Sequence, residues 1–228
     1  MTAEPYTGEV RPGGPSDVLR LPGVVVRKAS VSSMDNTAYL VTDLATGKSL
    51  LVDAADDAPR MLSLLAEAVP DGGDGSLAHV VTTHGHRDHH RALAAVVAAT
   101  GARTAAGRLD APDLPVPPDD LLDHGDAVRV GALELEVVHL RGHTPGSVAL
   151  ILRSGDGGTH LFSGDGLFPG GVGATKGDPA RFTALMDDVE QRLFAVLPDD
   201  AVVHPGHGRD TTIGAERPHL AQWRARGW

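Results

Sequence analysis

The chain has 228 residues, of which 41% are hydrophobic and 22% are charged, values that suit one compact domain with a substantial core. Because it has no cysteine, disulfide frameworks, thiolate metal sites and cysteine nucleophiles are excluded. A net charge of −10 disfavours contact with nucleic acid, and no apolar run approaches the ~20 residues that a membrane span needs, so we expect neither partner.

The N-terminal stretch has the composition of a flexible segment. Residues 1–16 are rich in Pro, Gly and Thr without periodicity, which predicts a loose N-terminal segment before a single domain at 17–228. The stretch is acidic and lacks the apolar core of a secretory signal, so a cytoplasmic location is the default expectation. Homodimerisation is a further hypothesis without residue-level support.

Short β-branched runs and helical apolar repeats alternate along the rest of the chain. Strands are predicted at 24–26, 38–41, 50–52, 78–83, 127–130, 133–140, 148–152, 160–163 and 201–203. Helices are predicted at 58–69, from about 87 to 97, at 181–196 and from about 215. Strand clusters followed by helices occur twice, which indicates an α/β sandwich with two similar halves.

One short motif resembles part of a nucleotide-binding loop. Thr46-Gly47-Lys48-Ser49 matches the end of the phosphate-binding pattern, but position 42, where that pattern needs glycine, is Thr42. We therefore interpret 46–49 as a hairpin turn between two strands.

Four potential metal ligands crowd one hexapeptide directly after the predicted strand 78–83. They are His84, His86, Asp88 and His89. At the point where a strand gives way to a helix, these side chains are expected to converge. Imidazole and carboxylate are the groups that divalent ions such as Zn²⁺ accept, so the hexapeptide predicts a metal site.

Three further candidates also follow apolar strands and are flanked by small residues. They are His143, Asp165 and His207. Glycine beside them lets the backbone turn sharply, and loops beyond strand ends are the usual place for sites in α/β sheets. The seven candidates supply five imidazoles and two carboxylates, too many for one tetrahedral ion and suited to two ions.

The ligand pattern resembles that of a known family. H-x-H-x-D-H at 84–89, followed in order by His143, Asp165 and His207, is similar to the metallo-β-lactamase-fold hydrolases, and within them to the glyoxalase II-like (hydroxyacylglutathione hydrolase-like) branch. The resemblance extends from about Val24 to Pro218. It implies an α/β fold built as a four-layer αβ/βα sandwich.

The resemblance also implies a cofactor of two divalent metal ions, zinc in the first place, with iron or manganese as alternatives. The ligands of the first ion would be His84, His86 and His143, and those of the second would be Asp88, His89 and His207. Asp165 would bridge the two ions. Asp53, which ends the predicted strand 50–52, resembles an aspartate that supports the family's ligands from behind.

The implied activity is hydrolysis of a small molecule. Two such ions lower the pKa of a shared water toward ~7, so a metal-bound hydroxide is available at neutral pH. It would attack a thioester, ester or lactone, with Asp88 as the catalytic residue that orients it. The sequence has no G-x-S-x-G motif, which agrees with metal rather than serine catalysis.

Other functions stay open beside this one. A persulfide dioxygenase has a similar pattern but uses one iron held by two histidines and one aspartate, which would make the chain an oxidoreductase. A metal-binding protein without catalysis is a second alternative, and lactone opening is a variant within hydrolysis. Zinc β-lactamases that need a cysteine ligand are excluded by composition.

The chain departs from full-length glyoxalase II in three places. The stretch 166–176 lacks the family's basic residue after a Gly-x-Gly turn, and Lys176 is displaced from that position. Gly208 stands where the family has an acidic residue followed by an aromatic one. The stretch 208–228 is too short for the helical domain that helps hold glutathione, so we expect a compact form whose thiol is not assigned.

Overall fold

Two β-sheets form the centre of the computed structural model, which describes residues 5–227. The first sheet holds β1 (Asp17–Leu21), β2 (Val24–Val31), β3 (Asn36–Asp43), β4 (Ser49–Val52), β5 (Leu77–Thr82), β6 (Arg103–Gly107) and β7 (Asp120–Leu122), side by side in chain order. The second sheet holds β8 (Ala127–Val130), β9 (Leu133–His139), β10 (Val148–Arg153), β11 (Thr159–Gly164), β14 (Val202–Pro205) and β15 (Thr211–Thr212). Its spatial order is β15-β14-β11-β10-β9-β8. A small separate hairpin pairs β12 (Leu167–Phe168) with β13 (Gly171–Val172).

The helices lie outside the sheets. They are α1 (Ala58–Ala68), α2 (Leu93–Thr100), α3 (Pro179–Val189) with a π-helical continuation at Glu190–Phe194, α4 (Ile213–Glu216) and α5 (Leu220–Arg226). Short 3-10 turns occupy Val69–Asp71, Arg87–His89, Ala111–Asp113 and Arg217–His219. Helix α3 begins at Asp178, whose carboxylate accepts hydrogen bonds from the first free backbone N–H groups, and Pro179 suits the first helical position.

The central strands are buried on both faces, because successive side chains of a strand point to opposite sides of the sheet. In β3, Tyr39 and Val41 pack between the two sheets. Ala38 and Leu40 of the same strand pack outward against α1 and α2. On the far side, the outer face of the second sheet packs against α3 and α5. These layers confirm the four-layer αβ/βα sandwich.

The two halves of the sandwich share one structural unit. In the first half, β4 connects through α1 to β5, which lies parallel to it. In the second half, β11 connects through α3 to β14, again in parallel. The strands that end these units, β5 and β14, lead into the two Gly-His loops at 84–89 and 205–208.

The local predictions held in part. The hairpin at 46–49 is confirmed, because β3 and β4 are antiparallel neighbours joined by this turn. The helix expected from about 87 is wrong at its start, since only a 3-10 turn forms there and α2 begins at Leu93. The reason is tertiary: the N–H groups of Arg91 and Ala92 bond to carbonyls of residues 54 and 55 instead of continuing a helix.

The segment expected to be a loose lead-in has contacts with the domain where the structure describes it. The hydroxyl of Tyr6 donates to Oδ2 of Asp210 over 2.5 Å, and Pro12 forms a β-bridge to Ser30 in β2. Residues 5–16 therefore lie along β2 and the loop after β14. None of the helices in residues 5–227 has the length and apolar character that a membrane crossing requires.

The packing between the sheets predicts a difference between two leucines. Leu150 in β10 is fully buried between the sheets, whereas Leu121 in β7 is 41% exposed. We expect Leu150→Ala to lower the free energy of unfolding by about 2–5 kcal/mol, through lost burial and a cavity, and Leu121→Ala by less than about 1 kcal/mol. Urea denaturation of both variants measures this, and equal losses would contradict the described core.

Candidate metal centre

The seven predicted ligands meet at one edge of the sandwich, in four loops that follow strands of both sheets. His84, His86, Asp88 and His89 follow β5, His143 follows β9, Asp165 follows β11, and His207 follows β14. Groups of three among them bring one donor atom each within 4.8 Å of one another. Residues up to 123 positions apart in the chain, such as His84 and His207, therefore share one small volume.

A first group contains three histidines. Nδ1 of His86 lies 3.2 Å from Nε2 of His84 and 2.9 Å from Nε2 of His143. Oδ2 of Asp165 lies 3.4 Å from Nε2 of His143 and 3.9 Å from Nε2 of His84. Three imidazole nitrogens and one carboxylate oxygen thus face a common point.

A second group lies on the other side of Asp165. Nε2 of His89 is 3.2 Å from Nε2 of His207, and Oδ2 of Asp88 is 3.7 Å from the first and 3.5 Å from the second of these nitrogens. Oδ1 of Asp165 is 3.3 Å from His89 Nε2, and its Oδ2 is 3.6 Å from His207 Nε2. Asp165 is therefore the carboxylate that both groups share.

The donor atoms fit divalent ions on two grounds. Ligands at ~2.1 Å from a tetrahedral ion lie ~3.4 Å apart, and the separations in both groups bracket that value. In addition, Oδ1 of Asp165 is buried and has no hydrogen-bond partner among residues 5–227. A buried carboxylate oxygen without a donor is costly, and a cation between the groups would satisfy it.

Four of the five histidines are held through the ring nitrogen that faces away from the centre. These contacts are His84 Nδ1 to Thr83 Oγ1 at 3.0 Å, His89 Nδ1 to Asp53 Oδ2 at 2.8 Å, His143 Nδ1 to the Ala174 carbonyl at 2.8 Å, and His207 Nδ1 to the Met34 carbonyl at 2.8 Å. Such contacts fix the ring orientation and leave Nε2 as the free donor, as they do in metal sites generally.

Asp53, predicted to support the ligands, sits behind the centre at the end of β4. It is 2% exposed and accepts hydrogen bonds from the backbone N–H (2.7 Å) and hydroxyl (2.8 Å) of Thr83 as well as contacting His89. Its left-handed φ of 59° turns the chain sharply at the strand end. Asp53 thereby joins the end of β4 to the first and last histidines of the hexapeptide.

Asn36 belongs to the centre but carries no sequence signal that marked it. Its Nδ2 donates to Oδ2 of Asp88 over 2.9 Å and lies 3.4 Å from Nε2 of His207. Its Oδ1 accepts a hydrogen bond from the hydroxyl of Ser32 over 2.5 Å. The amide of Asn36 is therefore oriented by Ser32 and in turn orients Asp88.

Asp110 is a second residue that sequence reasoning missed. Its side chain, in a residue that is 1% exposed, accepts hydrogen bonds from the N–H of Gly85 (2.8 Å), the N–H of Gly146 (2.6 Å) and the hydroxyl of Thr144. Gly85 lies between His84 and His86, and Thr144 follows His143. Asp110 thus ties together the two loops that carry the first group.

Of the cationic residues near the loops, Arg181 is structural and Lys176 is free. The guanidinium of Arg181 donates to the carbonyls of Gly142 (2.8 Å) and His143, so it holds the His143 loop. Lys176 is exposed, and its ammonium lies near enough to His86 to add to the lowering of that histidine's pKa by burial. Of these two, only Lys176 is available to an incoming anion.

The two groups differ in electrostatics. Burial lowers the pKa of His84, His86 and His143, so these rings are neutral near pH 7. Burial also acts on His89, but the carboxylates of Asp165 and Asp53 outweigh it and raise the pKa of His89 to about 9. For His207 burial is likewise outweighed by Asp165, and its pKa is raised.

Comparison with known proteins places this geometry in a family. The model of the metallo-beta-lactamase superfamily matches residues 34–207, which include all seven predicted ligands. The chain belongs to this superfamily. Over 174 residues it is 36% identical to a hydroxyacylglutathione hydrolase of Fuscovulum blasticum, an alignment that covers 76% of this chain and 62% of that protein. This superfamily member therefore spans less than two thirds of the length of the curated hydroxyacylglutathione hydrolases it matches.

Solved structures of superfamily members have the same architecture. ETHE1 from Myxococcus xanthus is 31% identical, with a TM-score of 0.75 over 88% of this chain and 84% of that one. TTHA1623, solved in a di-iron-bound form, is 29% identical, with a TM-score of 0.66 over 82% of this chain and 95% of that one. The match covers almost all of TTHA1623, so the sandwich described above is nearly its whole structure.

The hydrogen bonds that Asp110 accepts from the two loops predict that a single substitution at this residue destabilises the fold. In Asp110→Asn the side chain keeps its size but loses its charge and one acceptor position, so a buried N–H loses its partner. We expect the free energy of unfolding to fall by about 1–3 kcal/mol. The control is Asp113→Asn, an exposed neighbour whose carboxylate has no hydrogen-bond or ion-pair partner among residues 5–227, which we expect to change stability by less than about 0.5 kcal/mol. Equal stability of the two variants in urea would show that Asp110 does not hold the loops.

Proposed function

We propose that this chain is a metal-dependent hydrolase that uses two divalent metal ions to cleave a thioester, ester or lactone of a small molecule. The observation that carries the proposal is the position of Asp165. Its carboxylate lies between two groups of three ligands, and one of its buried oxygens has no hydrogen-bond partner among the described residues. A carboxylate in that position serves a pair of ions, which is the usual arrangement of hydrolytic two-metal sites.

The comparisons support this proposal from two sides. Curated relatives about one third identical are named hydroxyacylglutathione hydrolase, a thioester-cleaving activity. TTHA1623 binds two iron ions, which supports two ions per chain and keeps iron beside zinc and manganese as a candidate metal. Because the chain spans 62% of the length of those relatives, glutathione itself is not part of the proposal.

The ligands divide as the two groups suggest. His84, His86 and His143 would hold one ion, Asp88, His89 and His207 the other, and Asp165 both. The chemistry that such ions supply when bound is activation of water at neutral pH and polarisation of a carbonyl oxygen. The protein contributes seven side chains whose donor atoms face a common volume.

Asp88 is proposed as the catalytic residue. Burial raises its pKa, but the hydrogen bond from Asn36 and the charge of His89 outweigh burial and keep the pKa of Asp88 below its usual value. The carboxylate therefore stays ionised at neutral pH and can accept a hydrogen bond from the attacking water. Asn36 fixes its direction, so the water is aimed at one face of the substrate.

The rim of the centre favours a substrate with a negative charge. Arg87, Lys176 and Arg209 are exposed and have no carboxylate within ion-pair distance among residues 5–227. Arg87 lies between two ligands in the chain and Lys176 acts on His86, whereas Arg209 lines a separate pocket with His219 and Trp223. In a chain of net charge −10, an exposed cation beside His86 would attract a carboxylate-bearing acyl compound rather than a nucleic acid.

The proposal is tested with the purified protein, a measured metal content and a panel of thioesters, lactones and persulfides that pairs acidic with neutral compounds. We expect two ions per chain, hydrolysis of thioester or lactone, and faster reaction of the acidic member of each pair. His86→Ala and Asp165→Ala should lose metal and more activity than the ~10–100-fold that loss of a supporting residue costs. His90→Ala is the control, since among residues 5–227 its ring belongs to neither group of ligands and makes its hydrogen-bond contact with the Gly85 carbonyl.

Two results would contradict the hydrolase. Full turnover after removal of all metal would show that the ligand set is not the catalytic centre. A single iron per chain with oxygen-dependent consumption of a persulfide would instead establish the oxidoreductase alternative.

The opposite pKa shifts of the two groups predict proton release on metal binding. Histidine ligates metal as the neutral ring, so His89, with a pKa of about 9, must lose its proton. At pH 7.5 we expect at least one proton, that of His89, to be released per pair of zinc ions in addition to the proton of an activated water, and an affinity that rises with pH until about 9. Calorimetry in buffers of different ionisation enthalpy measures the number of protons.

Asp53→Asn provides the matched comparison for this measurement. It removes the negative charge beside His89, so the pKa of His89 falls and fewer protons are released at the same pH. Identical proton release by the wild type and Asp53→Asn would contradict the assignment.

A further inference from the structure

A buried ion pair lies beside the loop that carries His207. Lys28, in the middle of β2, is fully buried, and its ammonium contacts Oδ1 of Asp210 at 2.5 Å. The same Nζ donates to the carbonyl of Gly208 at 2.7 Å and to the carbonyl of Gly8 at 2.8 Å. An ammonium has three protons to donate, and here each has an acceptor.

The second carboxylate oxygen of Asp210 contacts two further side chains, Tyr6 and His204. Oδ2 accepts from the hydroxyl of Tyr6 over 2.5 Å and lies 2.6 Å from Nδ1 of His204. The other nitrogen of His204 lies 3.1 Å from Nδ1 of His160 in the neighbouring strand β11. One carboxylate therefore joins β2, the N-terminal segment and the end of β14.

The backbone around His207 is bonded on either side. The carbonyl of Pro205 accepts from the hydroxyls of Tyr39 and Thr37, and the carbonyl of Gly206 accepts from the N–H of Thr37 at 2.8 Å. Beyond His207, the N–H of Gly208 donates to the carbonyl of Asp35 at 3.2 Å, and the carbonyl of Gly208 accepts from Lys28. The ion pair thus adds a charged contact to the loop directly after the ligand.

We propose that Lys28, Asp210 and Tyr6 form a positioning unit for His207, so that the N-terminal segment at 6–8 is part of the second metal site. This inference rests on the proposed function, because His207 is assigned there as a ligand of the second ion. Ion pairs taken out of water add little stability over an apolar replacement, whereas they enforce one geometry, here that of the loop 205–210.

The same strand supplies a matched control. Arg27, the neighbour of Lys28 in β2, is 1% exposed and pairs with Asp71 in the 3-10 turn after α1. Asp71 contacts Arg27 and Arg20 and none of the seven predicted ligands. Asp71→Asn therefore breaks a half-buried ion pair of the same strand without changing a residue of the centre.

The experiment measures the dissociation constants of zinc ions in the full-length protein, by competition with a chelator, for wild type, Asp210→Asn, Tyr6→Phe and Asp71→Asn. We expect Asp210→Asn to weaken the binding of one of the two zinc ions by about 10–100-fold, as loss of a supporting contact does, and to leave the binding of the other unchanged. Tyr6→Phe should weaken the binding of the same ion by a smaller factor, and Asp71→Asn should weaken the binding of neither ion. His207→Ala identifies the ion, since the double variant with Asp210→Asn should bind the remaining ion as His207→Ala does.

Thermal unfolding of the metal-free proteins separates positioning from folding. Two outcomes overturn the positioning role while the proposed function stands. In the first, Asp210→Asn lowers the melting temperature as Asp71→Asn does but weakens the binding of neither ion. In the second, it weakens the binding of both ions equally. If Asp210→Asn does not fold, Tyr6→Phe, which removes one hydroxyl, decides by the same criterion. A wild-type protein that binds fewer than two zinc ions overturns the proposed function and this inference together.

Discussion

The buried carboxylate of Asp165 is the constraint on which the rest of the structure depends. It stands at the junction of the two sheets, within 4 Å of four imidazole nitrogens, and one of its oxygens has no hydrogen-bond donor in the described chain. Burial raises the pKa of this group, but the surrounding histidines hold it far below its usual value, so the charge persists. A fold that keeps a buried charge in this position must compensate it with nearby hydrogen-bond donors or positive charges.

The two halves of the sandwich bring histidines to this carboxylate in the same way. Each half places a parallel strand after a helical crossover, so β5 and β14 end at the same edge and deliver the loops with His84 and His207. A carboxylate also ends the first strand of each unit, Asp53 after β4 and Asp165 after β11. The first supports a ligand and the second is itself a shared ligand candidate, so one repeated backbone unit serves two chemical purposes.

Polar side chains around these loops hold them in place through hydrogen bonds. Asp110 ties the loops of the first group through backbone N–H groups, Asn36 directs Asp88, and the pair Lys28 with Asp210 borders the loop of His207. Buried polar groups of this kind are satisfied at each contact, which limits the positions the loops can adopt. Such limits favour a centre that is ready for ions and pays little reorganisation when they arrive.

The sequence alone was sufficient for the layered α/β architecture and for singling out the residues that meet at the centre. The strand run 50–52 is apolar throughout because both faces are buried, and that signal is local in the chain. A helix from residue 87 was predicted wrongly, because the N–H groups of Arg91 and Ala92 bond to distant carbonyls, which no local pattern reveals.

Apart from Asp53, which the family resemblance indicated, only the tertiary structure decided which residues support the centre. Asn36, Asp110 and Lys28 stand alone in the sequence, without a motif or a periodicity, and each acts through a partner far along the chain. A ligand motif is readable because several donors must sit close together on one loop, whereas a supporting contact needs one side chain that the fold brings in from elsewhere. For that reason the residues of the hexapeptide at 84–89 could be named from the sequence, whereas Asn36 and Asp110, which hold them, could not.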